Sequence, residues 1–431
     1  MDTRNRIGLY GSYFLCMAGI GFTLPYLPLY LREQGMSNRT IGFVSTLAAL
    51  AGLLQFPAGV WSDRLRARKP FLIVLLAVLA LSTFLLYGAQ GTIWLALLVI
   101  LFAENGACRA TVESLAGAEA VHLSPPDRVG ASLGALRFWR PIGIMAVALV
   151  GSVLVGRYGL AALLLPLGIV QTLAVLAALL IHEPKAFQTE TLLPNRDMVH
   201  GARHLLAVDG RVEERANCTI WRDASLWAFV AAMILFHSAA APGGVYLGLF
   251  LNELGASDGF LPYVFVVMMI AWMLVVWPAG ALADRIGRKP LLLLAWSAMT
   301  VRLALIAVAS SPEWILFIQV LDGLAQGLFG VLAAAWVTDR FADPRRAGEA
   351  QVLVGSCLVL GSALGPLLAG LVVDAVGYRG LFGLLASVAG IATLVVLALV
   401  PETLPIRRSP VHIAPGLPGE ADHPRQAGGY V

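Results

Sequence analysis

The chain has 431 residues, of which 58% are hydrophobic and only 13% charged, and its mean hydropathy is +0.79. Soluble domains carry about a quarter charged residues, so this composition excludes a soluble core. The net charge of +4 does not indicate nucleic-acid binding, because Lys and Arg sit in loops between apolar runs instead of forming a basic stripe.

A helix that crosses a membrane needs about 20 apolar residues, and twelve such runs are predicted. The first six cover 8–31, 40–62, 70–90, 92–120, 129–156 and 160–182. The polar, arginine-rich stretch 183–223 follows and reads as a cytoplasmic linker. The other six runs cover 224–251, 260–283, 290–310, 313–340, 347–374 and 379–400. The tail 401–431 is rich in Pro, Gly and charge and is expected to be disordered and cytoplasmic. The expectation is an all-α membrane protein with bundles at 1–182 and 224–400. The first run is too long for a cleaved signal peptide and lacks an A-x-A site, so it is expected to stay as a helix.

Loop charge sets the orientation. Loops on the side of the termini hold most of the Lys and Arg, whereas those on the other side hold only Arg32, Arg39, Arg157 and Arg379. The positive-inside rule then puts both termini and the linker in the cytoplasm, with the protein in a bacterial-type inner membrane. The sequon Asn38-Arg39-Thr40 carries little weight beside this. Cys16, Cys108, Cys218 and Cys357 are far apart, with no C-x-x-C spacing, which reads as packing residues rather than a metal site or disulfide frame.

The two halves repeat each other. Pro57-Ala58-Gly59-Val60-Trp61-Ser62-Asp63-Arg64 returns as Pro278-Ala279-Gly280-Ala281-Leu282-Ala283-Asp284-Arg285, and a basic cluster follows each copy. Tyr26, Leu27, Leu29, Leu31, Glu33, Gly35 and Ser37 return as Tyr246, Leu247, Leu249, Leu251, Glu253, Gly255 and Ser257. Such internal symmetry is a mark of secondary transporters. Gly59 and Gly280 would let another backbone approach near a helix end. Asp63 and Asp284 could cap the positive N-terminus of a neighbouring helix, and Arg64, Arg285 and Arg288 could pair with carboxylates or lipid phosphates. Stop-transfer charge would explain the basic residues but not the matched Gly and Asp.

This phrase resembles the loop 2–3 signature of the major facilitator superfamily, most closely in the copy Gly280-x-x-x-Asp284-Arg285-x-Gly287-Arg288-Lys289. The first copy departs from it, with Arg66 where Gly is usual and one extra residue before Arg68. The resemblance implies two pseudo-symmetric six-helix bundles around a midplane cavity, alternating access by rocking, and a gating role for the signature residues. Within the superfamily, Leu24-Pro25-Tyr26-Leu27-Pro28-Leu29-Tyr30-Leu31, Thr111-Val112-Glu113-Ser114-Leu115, Arg137-Phe138-Trp139 and Met299-Thr300-Val301-Arg302 resemble segments of the lactose/proton symporter and its aryl-acid and nucleoside relatives. The resemblance implies that Glu113 and Arg137 bind substrate. Asp322 and Ala325 stand where that symporter has a His and its coupling Glu, so neither sugar specificity nor the known proton relay carries over.

Charges inside membrane helices are costly unless they are paired or face a cavity. Glu104, Arg109 and Glu113 lie in the fourth helix, Arg137 and Arg140 in the fifth, Arg302 in the ninth and Asp322 in the tenth. Arg109 and Glu113, four apart, share a helix face. Glu104 and Glu113 are about half a turn out of phase and cannot both face one cavity, so at least one is expected to pair with a neighbouring helix. Glu113 is therefore expected to point inward with Arg137 as its partner, or else to tie helices 4 and 5 together. Asp322, beside Gln319, is a proton carrier, the partner of Arg302, or a neutral polar lining residue. Glu113, and His237 just before Pro242-Gly243-Gly244, are further candidate proton carriers, His237 against the alternative of a packed histidine. Trp139, Tyr26 and Tyr246 could stack on a ring substrate, or belong to the interfacial aromatic belt.

Gly361-x-x-x-Gly365-Pro366-x-x-x-Gly370 resembles a pattern that exporters of the superfamily show in helix 5, but here it lies in helix 11. No H-E-x-x-H, G-x-S-x-G or P-loop suggests an enzyme. The sequence-level expectation is a cofactor-free, monomeric, proton-coupled symporter of a small organic solute, with an exporter of drugs or metabolites as the alternative. Four in-membrane arginines against three carboxylates lean towards an anionic or strongly hydrogen-bonding solute.

Overall fold

A backbone that crosses lipid must satisfy its N–H and C=O groups within itself, so long apolar runs become helices. The computed structural model describes residues 2–65, 67–123, 129–182, 223–341 and 347–403. Most of the expected linker, the tail beyond Thr403, Arg66, Cys218 and the side chain of Asp63 lie outside the described residues.

The first span comprises α1 (Thr3–Ala18) and α2 (Ile20–Thr23), then bends by 50° into α3 (Leu27–Glu33). Pro25 and Pro28 remove amide donors there, and Pro28 is tolerated because it lies in the first turn of α3. The second span is α4 (Asn38–Ala51), a 3-10 turn over Gly52–Leu54, and α5 (Gln55–Arg64). There follow α6 (Lys69–Gly88), α7 (Thr92–Phe102), α8 (Ala107–His122), α9 (Val129–Tyr158) and α10 (Leu164–Leu179). The C-terminal lobe comprises α11 (Ala224–Val245), α12 (Leu247–Glu253), α13 (Leu261–Ile286), α14 (Arg288–Val308), α15 (Pro312–Phe341) and α16 (Ala347–Leu399).

Ten helices among the described residues are long and apolar enough to cross a membrane, and the bent first span makes eleven. The longest, α16, leaves helical geometry at Gly377 (φ 71°), so it is two helices joined across a turn.

The repeat seen in sequence is a repeat in structure. The break before α3 at Tyr26 recurs before α12 at Tyr246, and Gly35 and Gly255 then turn the chain at φ 83° and 87°. Lys69 Nζ donates to the Leu179 carbonyl and Lys289 Nζ to the Leu397 carbonyl, each at 2.9 Å.

The lobes meet at the face opposite the termini, called distal below. Arg39 Nε lies 2.7 Å from Asp374 Oδ2, and Asn38 Nδ2 donates to Asp374 Oδ1 at 3.2 Å. Tyr246 donates to the Asn38 carbonyl (3.0 Å), Tyr378 to Asn38 Oδ1 (3.2 Å) and Thr46 to the Ala363 carbonyl (2.6 Å). Close backbone approach falls at Gly42 against Pro366 and at Gly370 against Asn38, where a side chain would not fit. Gly361 and Gly365 press in the same way on Ile234, Ser238 and Pro242 of α11, so this glycine row packs helices together.

Candidate functional site

The fourth membrane span is broken. α7 stops at Phe102, Ala103 turns extended (ψ 161°), and α8 starts at Ala107. Gly106 N donates to the Ala103 carbonyl at 3.0 Å to close the turn. This break resets the helical phase, and both carboxylates therefore reach one guanidinium. Arg140 Nη1 lies 2.7 and 2.8 Å from the two oxygens of Glu113, and Nη2 lies 2.9 Å from Glu104 Oε1. Tyr13 of α1 donates to Glu113 Oε1 at 3.4 Å.

Two expectations are corrected here. Glu113 pairs with Arg140 rather than Arg137, and Glu104 and Glu113 do share a site, because the half-turn phase argument assumed an unbroken helix. Arg137 is exposed three residues earlier on α9, and Trp139 packs edge-on against Phe14 at 5.9 Å.

Arg109 and Glu113 share the face of α8 as expected, but they do not pair. Arg109 is 1% exposed; its Nη1 donates to the Phe102 carbonyl at the end of α7, and its guanidinium sits 4.5 Å from the Phe102 ring centroid. A cation at a helix C-terminus is favourable, and the missing side chain of Gly19 leaves room for it beside Gln171. Sequence reasoning missed this role and the break itself. The signal for the break was the Asn105-Gly106 dipeptide, a turn former inside an apolar run.

In the C-terminal lobe Arg302 Nη2 lies 3.0 Å from Asp322 Oδ2, and Arg302 Nε donates to Gln319 Oε1 at 2.9 Å. The side chains of this pair are 1% and 7% exposed. His237 is buried edge-on to Phe236 and Phe329, at 5.4 and 4.7 Å. Gln319, Tyr26 and Tyr246 are also buried in this conformation: Gln319 belongs to the Arg302 cluster, and the tyrosines sit at the two helix breaks near the distal contact.

The signature residues are arranged differently from expectation. Nothing lies within 4 Å of a Cβ position at Gly59 or Gly280, so the close approach expected there is not made in this conformation. Asp284 does not cap a helix N-terminus. It pairs with Arg288 at 2.6 Å, and Arg288 reaches on to Asp339 at 3.1 Å. The cap on α14 is Glu402, whose oxygens accept from Arg288 N (2.9 Å) and Lys289 N (3.0 Å). Gly287 opens that turn at φ 103°, where a side chain would be strained and would also meet the Glu402 carboxylate. Arg64 and Arg285 are exposed at the ends of their helices. On the same face Arg340 pairs with Asp223, the N-cap of α11, and this hydrogen bond holds the Asp223 carboxyl below its ordinary value of 3.8.

Two helical lobes joined at one face, with ionisable side chains inside membrane-length spans, define a multi-pass membrane transporter. The chain matches the MFS_1 like family over residues 7–384 and belongs to it; it is a major facilitator transporter, not an enzyme. It is 25% identical over 390 residues to the MFS-type transporter Rv2456c of Mycobacterium tuberculosis, covering 88% of this chain and 89% of that one. It is 24% identical over 390 residues to the multi-drug resistance efflux pump PmrA of Streptococcus pneumoniae, covering 88% and 91%. The fold is that of the nucleoside transporter NupG, with a TM-score of 0.74 over 93% of this chain and 99% of that one, at 17% identity.

Proposed function

We propose that the protein is a monomeric, proton-coupled secondary transporter of a small organic solute, working by alternating access in a bacterial-type inner membrane with both termini cytoplasmic. The observation that carries the reading is the Glu104–Arg140–Glu113 cluster. Its side chains are 26%, 28% and 35% exposed, in that order, although all three lie within membrane-length spans, Glu104 at the break in the fourth. Charges at that depth are retained where they face a pocket and serve transport. With the lobes in contact at the distal face, the partly exposed triad is proposed to be reached from the side of the termini, which the positive-inside rule assigns to the cytoplasm. Glu113, Arg140, Arg137 and Trp139 are the residues proposed to touch the solute, and Tyr26, Tyr246 and Gln319 would reach it only after the lobes move. The signature residues Asp63, Arg64, Asp284, Arg285 and Arg288 are proposed to hold the proximal face when it closes.

Symport is the leading reading, and export has one specific support, the match to an efflux pump along 390 residues. Proteoliposomes with an imposed pH gradient and a panel of nucleosides, aromatic acids, sugars and cationic drugs test both. Accumulation down the proton gradient supports symport, and movement against it supports export. If no solute on the panel moves with either gradient, the proposal fails.

A further inference from the structure

We propose that Glu104, Arg140 and Glu113 form one proton-binding unit that holds a single exchangeable proton, and that this unit, rather than the Asp322–Arg302 pair, carries the coupling proton. The inference rests on the proton-coupled reading above and names the residues behind it, including Glu104, which no sequence motif marks.

The argument is one of charge balance. Arg140 is shared by two carboxylates, and no second cation lies within 4.0 Å of either among the described residues. The groups that face the unit come from three helices. From α1 they are Tyr13, in contact with Glu113, and Cys16 next to it; from α8, Arg109; from α9, Arg137. Arg109 is already engaged with the Phe102 carbonyl and ring. Arg137 is exposed, about one turn nearer the proximal end of α9. The three bonded groups therefore carry one surplus negative charge when both carboxylates are ionised, and one proton makes them neutral. That proton belongs to the pair rather than to either residue.

The Asp322–Arg302 pair is the opposite case. One carboxylate meets one guanidinium at 3.0 Å, and the side chains are 1% and 7% exposed against 26–35% in the triad. A proton there would break a neutral pair and leave a buried cation. Coupling follows from the same balance. Enclosing a site of net charge −1 away from water is costly, and enclosing a neutral one much less so. Closure of the lobes over the triad thus favours its protonated form.

The test is pH-difference infrared spectroscopy on the purified protein, reading the carbonyl stretch of a protonated carboxyl group with the proton as the only ligand. Wild type is expected to show one such band as pH is lowered. Either Glu104→Gln or Glu113→Gln balances Arg140 with a single carboxylate, so each variant alone is expected to lose the band. Arg140→Gln leaves two carboxylates without a cation and is expected to enlarge it. The Gln variants are near-isosteric and each keeps one ion pair, and size-exclusion profiles check that they fold. A band that persists in both Gln variants, or that is absent from wild type, overturns the proposal even if acid-driven transport is observed. A band that behaves as expected, with no acid-driven transport of any solute, upholds the proton site and refutes only the coupled function.

Discussion

Gly42→Ala tests the distal contact more severely than removal of its ion pair. A Cβ at Gly42 would lie 2.6 Å from the Tyr246 hydroxyl and closer still to the Pro366 carbonyl. The carbonyl is backbone of the opposite lobe and cannot swing away, so relief requires the lobes to part. Overpacking of this kind costs about 1–3 kcal/mol. If the clash disappears when the distal face opens, the equilibrium shifts towards the open form by roughly 5- to 150-fold. The Arg39–Asp374 pair is worth less. Arg39 is 63% exposed, and surface pairs contribute ~0.2–1 kcal/mol, so Asp374→Asn should shift the equilibrium at most about fivefold. Spin labels at Gln34 and Ser257, exposed positions on the distal ends of the two lobes, report the distance between them by electron–electron dipolar coupling. The expected result is a longer-distance population that grows from wild type to Asp374→Asn to Gly42→Ala. An unchanged distribution in Gly42→Ala, or a larger shift in Asp374→Asn, would refute the packing argument.

Other predictions follow from the ion pairs and caps. Arg302→Met leaves Asp322 buried without its partner and should cost about 3–5 kcal/mol; adding Asp322→Leu should restore most of the lost thermal stability, as a double-mutant cycle will read. Glu402→Ala removes the carboxylate from the start of α14 and should cost about 1 kcal/mol, seen as a lower melting temperature in detergent. Because Arg340 depresses Asp223 in the folded protein, the stabilisation is present above the ordinary aspartate value of 3.8 and is lost as pH falls through the depressed folded value. Melting curves of wild type and Asp223→Asn should therefore differ at neutral pH and converge in strong acid, and a constant difference across that range would contradict the assignment.

Much of the architecture was legible because membrane spans are set by length and hydropathy, and the two halves share one phrase at a fixed offset. The matched breaks at Tyr26 and Tyr246 were visible as matched sequence, with prolines and glycines beside them. The site was less legible. The phase argument for Glu104 and Glu113 was sound for an ideal helix, and the Asn105-Gly106 turn defeated it. Arg137 and Arg140 are three apart on one helix, and the choice between them depends on where a break in another helix places Glu113. Glu402 as the cap of α14, and Asp374 as the partner of Arg39 some 335 residues away, are contacts made only by the packed fold. The Asp322–Arg302 pair was one of three readings open from the sequence.

The most direct test of the account is whether access to the triad changes sides. Gly117 lies four residues beyond Glu113 on the same face of α8, and nothing lies within 4 Å of a Cβ placed there. In a chain whose four native cysteines are replaced, Gly117→Cys should react with a membrane-impermeant thiol reagent added on the side of the termini. Adding Gly42→Ala should move that reactivity towards the distal side. Labelling from one side alone in both backgrounds, or from neither, would contradict alternating access to this site.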